Sequence, residues 1–201
     1  MSLEMAVALV GFAFVMSISP GPSNFLLLAS GVNFGFMRSV PLVFGICAGF
    51  LTMVFCVGVG LGQVLKTVPG LYTALKFACA AYVLWLAWKV ARSRAIGPAN
   101  EEAIEKPITF LQAALFQLVN PKAWAVALVV TVSYTDQQNY IPSLLAMIVL
   151  FAVINLPSIS VWALSGVALG RLLGEGNRIA VFNIAMALLL VGSMAVVLFR
   201  A

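Results

Sequence analysis

The sequence predicts an all-α membrane protein of six transmembrane helices, built as two inverted three-helix repeats, and three observations carry that prediction. Of its 201 residues, 63% are hydrophobic and 8% charged, which is more apolar surface than one soluble core hides. Six predominantly apolar segments lie near residues 3–30, 38–65, 69–90, 108–134, 142–171 and 178–200, matching the ~20 residues needed to cross roughly 30 Å of hydrocarbon. The first and fourth segments are each interrupted by a helix-breaking proline motif, about 101 residues apart in the chain.

The first segment is too long, and lacks the basic start and small-residue cleavage site, to read as a removable signal peptide. It is expected to be a retained span. Ser19-Pro20-Gly21-Pro22-Ser23-Asn24 breaks it. Proline has no amide hydrogen and its ring meets the carbonyl four residues back, so Pro20 and Pro22 release the carbonyls of Met16 and Ile18 from the helical ladder. In hydrocarbon each freed group costs several kcal/mol unless protein, water or a ligand satisfies it. Asn120-Pro121-Lys122 repeats the device in the fourth segment. Pro41 and Pro142 are placed in the first turns of the second and fifth spans, where a missing amide is harmless.

Residues 91–107 are expected to form the linker, with Arg92, Arg94, Gly97, Pro98, Glu101, Glu102, Glu105 and Lys106. They divide a single transmembrane domain, residues 1–201, into a repeat of about 1–90 and another of about 108–201. A unit with an odd number of spans enters the membrane from the opposite side when repeated, so the repeat is inverted.

Glycines at 45 and 49, at 58, 60 and 62, and at 166 and 170 let helix backbones approach closely in lipid. Packing within the bundle and a homodimer face both remain open. Trp85 and Trp88 beside Lys89, and Tyr134 and Tyr140 around Asp136, read either as interfacial anchors or as ordinary packing. Cys47, Cys56 and Cys79 have no CxxC spacing, and the chain has no histidine. They read as small buried hydrophobes rather than metal or redox sites. The net charge of +5 reports topology, not nucleic acid, because the bases sit at span ends.

The polar residues inside the spans are chiefly Ser17, Ser19, Ser23, Asn24, Thr52, Gln112, Gln117, Asn120, Lys122, Thr131, Asn155, Ser158 and Ser160. No acidic residue lies deep within a span, which leaves no cage for a hard cation and no usual proton relay. With Lys122 as the one base in the membrane, an enzyme's nucleophile is also hard to activate. No cofactor and no metal site is expected. Lys122 stands about 21 Å along its span, near the bilayer centre, at 1.5 Å per residue. A central lysine costs about 2.5–3.5 kcal/mol, so it is expected to face a watery cavity or an anionic partner. Donation to the carbonyls freed by Pro20, Pro22 and Pro121, or a part in proton coupling, are its other readings.

The half-helices after Pro22 and Pro121 each begin with unpaired amides and a partial positive charge. Brought together at the midplane, such ends suit a carboxylate, while the carbonyls of Met16, Ile18 and Gln117 suit an ammonium. The expected substrate-binding residues are Ser19, Pro20, Gly21, Pro22, Asn24, Gln117, Asn120, Pro121 and Lys122, and the expected ligand is a zwitterion.

Four stretches together carry a resemblance over almost the whole chain: Ser19 to Asn24, Gly35-Phe36-Met37-Arg38-Ser39, the run Ala80-Ala81-Tyr82-Val83-Leu84-Trp85-Leu86-Ala87-Trp88-Lys89, and Phe116-Gln117-Leu118-Val119-Asn120-Pro121-Lys122-Ala123. In this order and spacing they resemble the LysE/RhtB amino-acid exporter family. The resemblance implies a bacterial inner-membrane protein that exports amino acids from the cytoplasm using the proton gradient. It is nearest to exporters of cysteine and O-acetylserine or of threonine and homoserine. Relatives that export lysine or arginine carry aspartates within their spans, and this chain does not, which speaks against a basic substrate. Two rival readings are a metal or inorganic-ion exporter of similar architecture, which wants acidic ligands, and a non-transporting membrane assembly subunit resting on the glycine faces.

The loops after spans one, three and five carry Arg38, Lys89, Arg92, Arg94, Lys106, Arg171 and Arg178, against Lys66, Lys76 and Arg200 on the other side. The richer side is expected to be cytoplasmic, with both termini periplasmic. A reporter fused after Arg200 should therefore read as periplasmic; a cytoplasmic signal would mean that one of the six segments does not cross.

Overall fold

A computed structural model describes residues 3–60, 69–93, 106–136, 138–174 and 177–199. Gly62, Lys66, Glu175, Arg200 and the linker from Arg94 to Glu105 lie outside the described residues, as do the side chains of Lys76 and Cys79. The described elements are α1 (Leu3–Ile18), α2 (Pro22–Gly58), α3 (Pro69–Arg92), α4 (Phe110–Gln117), α5 (Pro121–Ser133), α6 (Tyr140–Leu173) and α7 (Asn177–Phe199). Among them α2 and α6 are each long and apolar enough to cross a membrane, and the pair α4 and α5, bent by 64°, makes a third when counted as one span. The proline motifs explain why helices and expected spans do not correspond one to one, since α1 stops after 16 residues where Ser19 and Pro20 break the first segment.

The 37-residue α2 is two helical stretches joined at Gly35, whose φ of 76° and ψ of 173° leave the helical region. Only glycine adopts that backbone without strain. In a straight helix Ser30 and Ser39 would stand about 13.5 Å apart along the axis. Their hydroxyls are instead 2.7 Å apart and buried, so the chain folds back at Gly35. Ser39 Oγ also donates to the Gly35 carbonyl at 2.8 Å. Residues 22–34 therefore run toward the turn and residues 36–58 return from it. Pro41 lies six positions into the returning stretch, beyond the first turn where it was expected.

The returning stretch orders the rest. Gly45 packs on Phe110 and Gly49 on Ala114, so it runs parallel to α4. Its far end meets the start of α6, where Tyr140 donates to the Gly58 carbonyl at 2.8 Å. The other end of α6 reaches the hairpin turn: a Cβ at Gly31 would collide with the Ala163 carbonyl, and one at Gly166 with the Leu28 carbonyl. These glycines serve backbone contact between helices of this chain. Two consequences follow from the contacts. The broken pair α4 and α5 runs antiparallel to the broken pair formed by α1 and residues 22–34. The ends of α3, α6 and the hairpin turn, and the start of α7, gather at one end of the bundle, with Arg38, Lys89, Arg92, Arg171 and Arg178.

Packing falls into two apolar clusters. One, at the basic end, joins residues such as Leu27, Leu42, Ile46, Leu86, Phe116, Ile159 and Leu190. The other joins Leu9, Ala13, Phe50, Val54, Val126, Val130, Leu144 and Phe151. Both breaks lie where the clusters meet. Beyond them, large apolar side chains such as Val149 and Val153 of α6 and Leu188 of α7 stand exposed, as suits an outer surface bathed in lipid. At the basic end Lys89 lies over the Trp85 ring at 5.7 Å and Arg92 over Trp88 at 5.0 Å, a cation–π arrangement.

Candidate functional site

Where the two breaks meet, the freed backbone groups are met by side chains, and those bonds shape a cavity. After α1 the carboxamide of Asn24 donates to the carbonyls of Ser17 at 3.0 Å and Ser19 at 2.7 Å. Ser19 Oγ donates to the Met16 carbonyl at 3.2 Å and Trp162 Nε1 to that of Ile18 at 3.1 Å. In the second break the Gln117 carbonyl accepts from the Asn120 amide at 3.2 Å, and the Leu118 carbonyl from Trp124 Nε1 at 2.8 Å. The three carbonyls expected to await a ligand ammonium thus already hold donors from the protein.

The helix starts differ from one another. At α5, Pro121 takes the first position and Asn120 Oδ1 accepts from the Lys122 amide at 3.1 Å, an ordinary N-cap. The helix beginning at Pro22 has Gly21 as its cap residue in extended conformation, with no side chain capping it. Its first turn, through Gly21, Ser23 and Asn24, lies on the cavity wall. A third set of bonds ties the breaks together: Asn120 Nδ2 donates to Ser23 Oγ at 2.8 Å, and Gln117 Nε2 donates to the same hydroxyl at 3.1 Å.

Lys122 crosses from the second break to the first. Its Nζ donates to the Ser19 carbonyl at 2.6 Å, to Ser19 Oγ at 2.8 Å and toward the Pro20 carbonyl at 3.5 Å. Its stem lies on Gly21, where a Cβ would come within 2.8 Å of Lys122 Cδ. The carbonyls it reaches are not those released by the prolines at Met16, Ile18 and Gln117 but those of Ser19 and Pro20 within the first break. These partners are neutral, so the ammonium keeps its full positive field, and it sits in the first turn of α5, where a helix already presents partial positive charge. A lysine placed there for helix stability alone has the wrong sign.

The cavity holds about 50 Å³, room for a few waters or a small solute at roughly 10–15 Å³ per water. Ser17, Ser23, Asn24, Gln117, Asn120, Lys122 and Asn155 supply its polar wall. Met16, Ile46, Phe50, Val126, Phe151 and Ile159 supply the apolar one, with the Phe50 and Phe151 rings 5.0 Å apart. Of the expected residues, Gly21, Asn24, Gln117, Asn120 and Lys122 line it. Ser19 and Pro20 hold Lys122, while Pro22 and Pro121 start the helices without facing the cavity. Ser17, Ser23, Asn155 and the two phenylalanines were not among the expected site residues. The signal available for Ser17 and Asn155 was polarity at membrane depth, which does not say what a residue faces.

Comparison with known proteins gives a consistent picture. The family described as LysE type translocator matches residues 14–200. The chain is 33% identical over 183 residues to the cysteine/O-acetylserine efflux protein of Escherichia coli (strain K12), covering 90% of each chain. The same identity and coverage hold for the proteins of that name from Shigella flexneri and from Shigella sonnei (strain Ss046). No solved structure matches the chain.

Asn24 is the clamp on the first break, and removing it leaves the buried Ser17 carbonyl short of a donor at a cost of about 1–3 kcal/mol, while the Ser19 carbonyl keeps its bond from Lys122. Asn24→Leu should lower the thermal unfolding temperature of the purified protein in detergent, with Asn24→Gln intermediate; an unchanged transition for Asn24→Leu would show that the Ser17 carbonyl finds another donor.

Proposed function

The chain belongs to the LysE type translocator family, and on that premise we propose that it exports small neutral amino acids or close derivatives, of the cysteine, O-acetylserine, threonine or homoserine type. Membership supports an amino-acid exporter embedded in the membrane, a transporter rather than an enzyme. The finer reading is a six-span bundle of two inverted repeats in the bacterial inner membrane, with both termini periplasmic, working by alternating access and driven by the proton gradient. Its repeats take in residues of about 1–90 and 108–201, joined by a cytoplasmic linker at 91–107. The antiparallel course of the two broken pairs supports the inverted repeat. Arg38, Lys89, Arg92, Arg171 and Arg178 at one end of the bundle support that end as cytoplasmic.

One observation carries the substrate reading: an ammonium with neutral partners, Lys122, beside the helix starts at Pro22 and Pro121, on a small cavity with a polar and an apolar wall. Ammonium and helix starts add fields of the same sign, and a carboxylate is the ligand group that such a site favours. With a substrate carboxylate there, hydrogen bonds to the amides after Pro22 replace the water it loses. The apolar wall from Phe50 and Phe151 then bounds the side chain. In an alternating-access cycle the contacts across the breaks, from Lys122 to Ser19 and from Asn120 to Ser23, are those whose exchange opens the site to one side or the other. The homodimer remains a proposal resting on small residues, several of which pack inside the chain.

Reconstituted protein loaded with radiolabelled amino acid should show efflux, and the acid should be preferred to its amide. Lys122→Met keeps much of the stem volume and removes the charge, so it should insert but lose that preference. If both proteins discriminate equally, the helix starts read the carboxylate without Lys122; absence of efflux of any neutral amino acid would overturn the exporter reading.

A further inference from the structure

Several hydroxyls on or just beyond the helices of this protein share one habit. Ser39, Ser93, Thr131, Thr135, Ser158 and Ser160 each donate to the carbonyl four residues back, at 2.7 to 3.0 Å. A serine on a helix in an apolar setting has that bond at hand whenever nothing better is offered. Ser17 does not use it. It lies in the last turn of α1, only 6% exposed, and among the described residues its Oγ is the buried side-chain oxygen or nitrogen without a hydrogen-bond partner. It lies on the cavity wall.

A buried hydroxyl left unpaired on the wall of a cavity points to a partner that the chain itself does not supply. We propose that the Ser17 hydroxyl is a specificity-determining contact for the exported amino acid, selecting short side chains that carry a hydroxyl, thiol or ester oxygen over apolar side chains of the same size. The inference rests on the exporter reading and deepens it. Lys122 and the helix start at Pro22 occupy the part of the cavity suited to a carboxylate, and Phe50 and Phe151 offer no hydrogen bond. Asn155, the other polar group contributed from outside the two breaks, lies within hydrogen-bonding reach of the Cys47 thiol. Ser17 is thus the group left to meet a polar side chain, as donor or acceptor in turn. A small cavity of about 50 Å³ sets the size limit. An apolar substrate would fit the space and leave the hydroxyl unpaired, and a site with a polar group to satisfy rejects the analogue that cannot satisfy it.

Proteoliposomes containing the full chain, preloaded with one member of an isosteric pair, provide the test. The pairs are L-threonine with L-valine and L-cysteine with L-2-aminobutyrate. Wild-type protein should export the polar member faster by about tenfold or more. Ser17→Ala, which deletes one atom, should bring the two rates within about twofold of each other while still exporting both, and Ser17→Thr, which keeps the hydroxyl, should retain the preference. Wild-type protein that exports both members equally leaves the exporter reading standing and overturns the role of Ser17. So does a preference that survives in Ser17→Ala, which would assign the hydroxyl to a buried water. Wild-type protein that exports none of the four acids overturns the exporter reading, and this inference with it.

Discussion

The constraint on which the structure depends is that a backbone carbonyl or amide released inside an apolar bundle must find another partner. Three prolines and a glycine in two short motifs release such groups at one level of the molecule. Several of the polar side chains gathered there can be read as an answer. Asn24 holds two carbonyls, Trp162 and Trp124 hold one each, and Lys122 ties its own half to the other through Ser19. A continuous helix would have needed none of them. The break thus creates both a demand for polar side chains at membrane depth and the space between them.

That arrangement explains how a chain with few charges builds an electrostatically defined site. Two apolar clusters meet at the breaks, so the polar seam is held on both sides by close packing and is not free to collapse. Within the seam the freed carbonyls consume most donors, and what remains is positive: an ammonium with neutral partners and the uncapped amides after Pro22. The remaining unpaired group, Ser17, is neutral. On the proposed reading, such a site distinguishes ligands first by a carboxylate and then by what a short side chain offers.

Much of this was legible in the chain itself. Length and apolarity announced the bundle, and proline chemistry located both breaks to the residue, because the loss of an amide is a local fact. Lys122 stood out because a charge at that depth demands a reason. Other features were illegible for physical reasons. The interval between the first two spans was expected at residues 31–37, but that helix runs through it on both sides up to Gly35 was not legible, because helices that are apolar on every side carry no periodic signal to mark an end. The contact of Asn33 with Asn183, at 2.7 Å across 150 residues, and that of Trp162 with Ile18 depend on the packing of distant helices. The donors that the Met16, Ile18 and Gln117 carbonyls hold within the protein were hidden for the same reason. Proline shows that a carbonyl is released, and only tertiary structure shows which donor reaches it. Pro41 is a smaller case, displaced from the first turn because the helix starts at the hairpin, earlier than its apolar pattern suggests.

The central claim is that the break in the first segment makes the site, and its most direct test is amino-acid efflux by a Pro20→Ala/Pro22→Ala double variant at a membrane level equal to wild type. Restored amides at positions 20 and 22 can pair with the Met16 and Ile18 carbonyls and let the helix run through. The account predicts a variant that inserts, unfolds at the same or a higher temperature, and no longer exports. Efflux at the wild-type rate from a well-inserted double variant would contradict it.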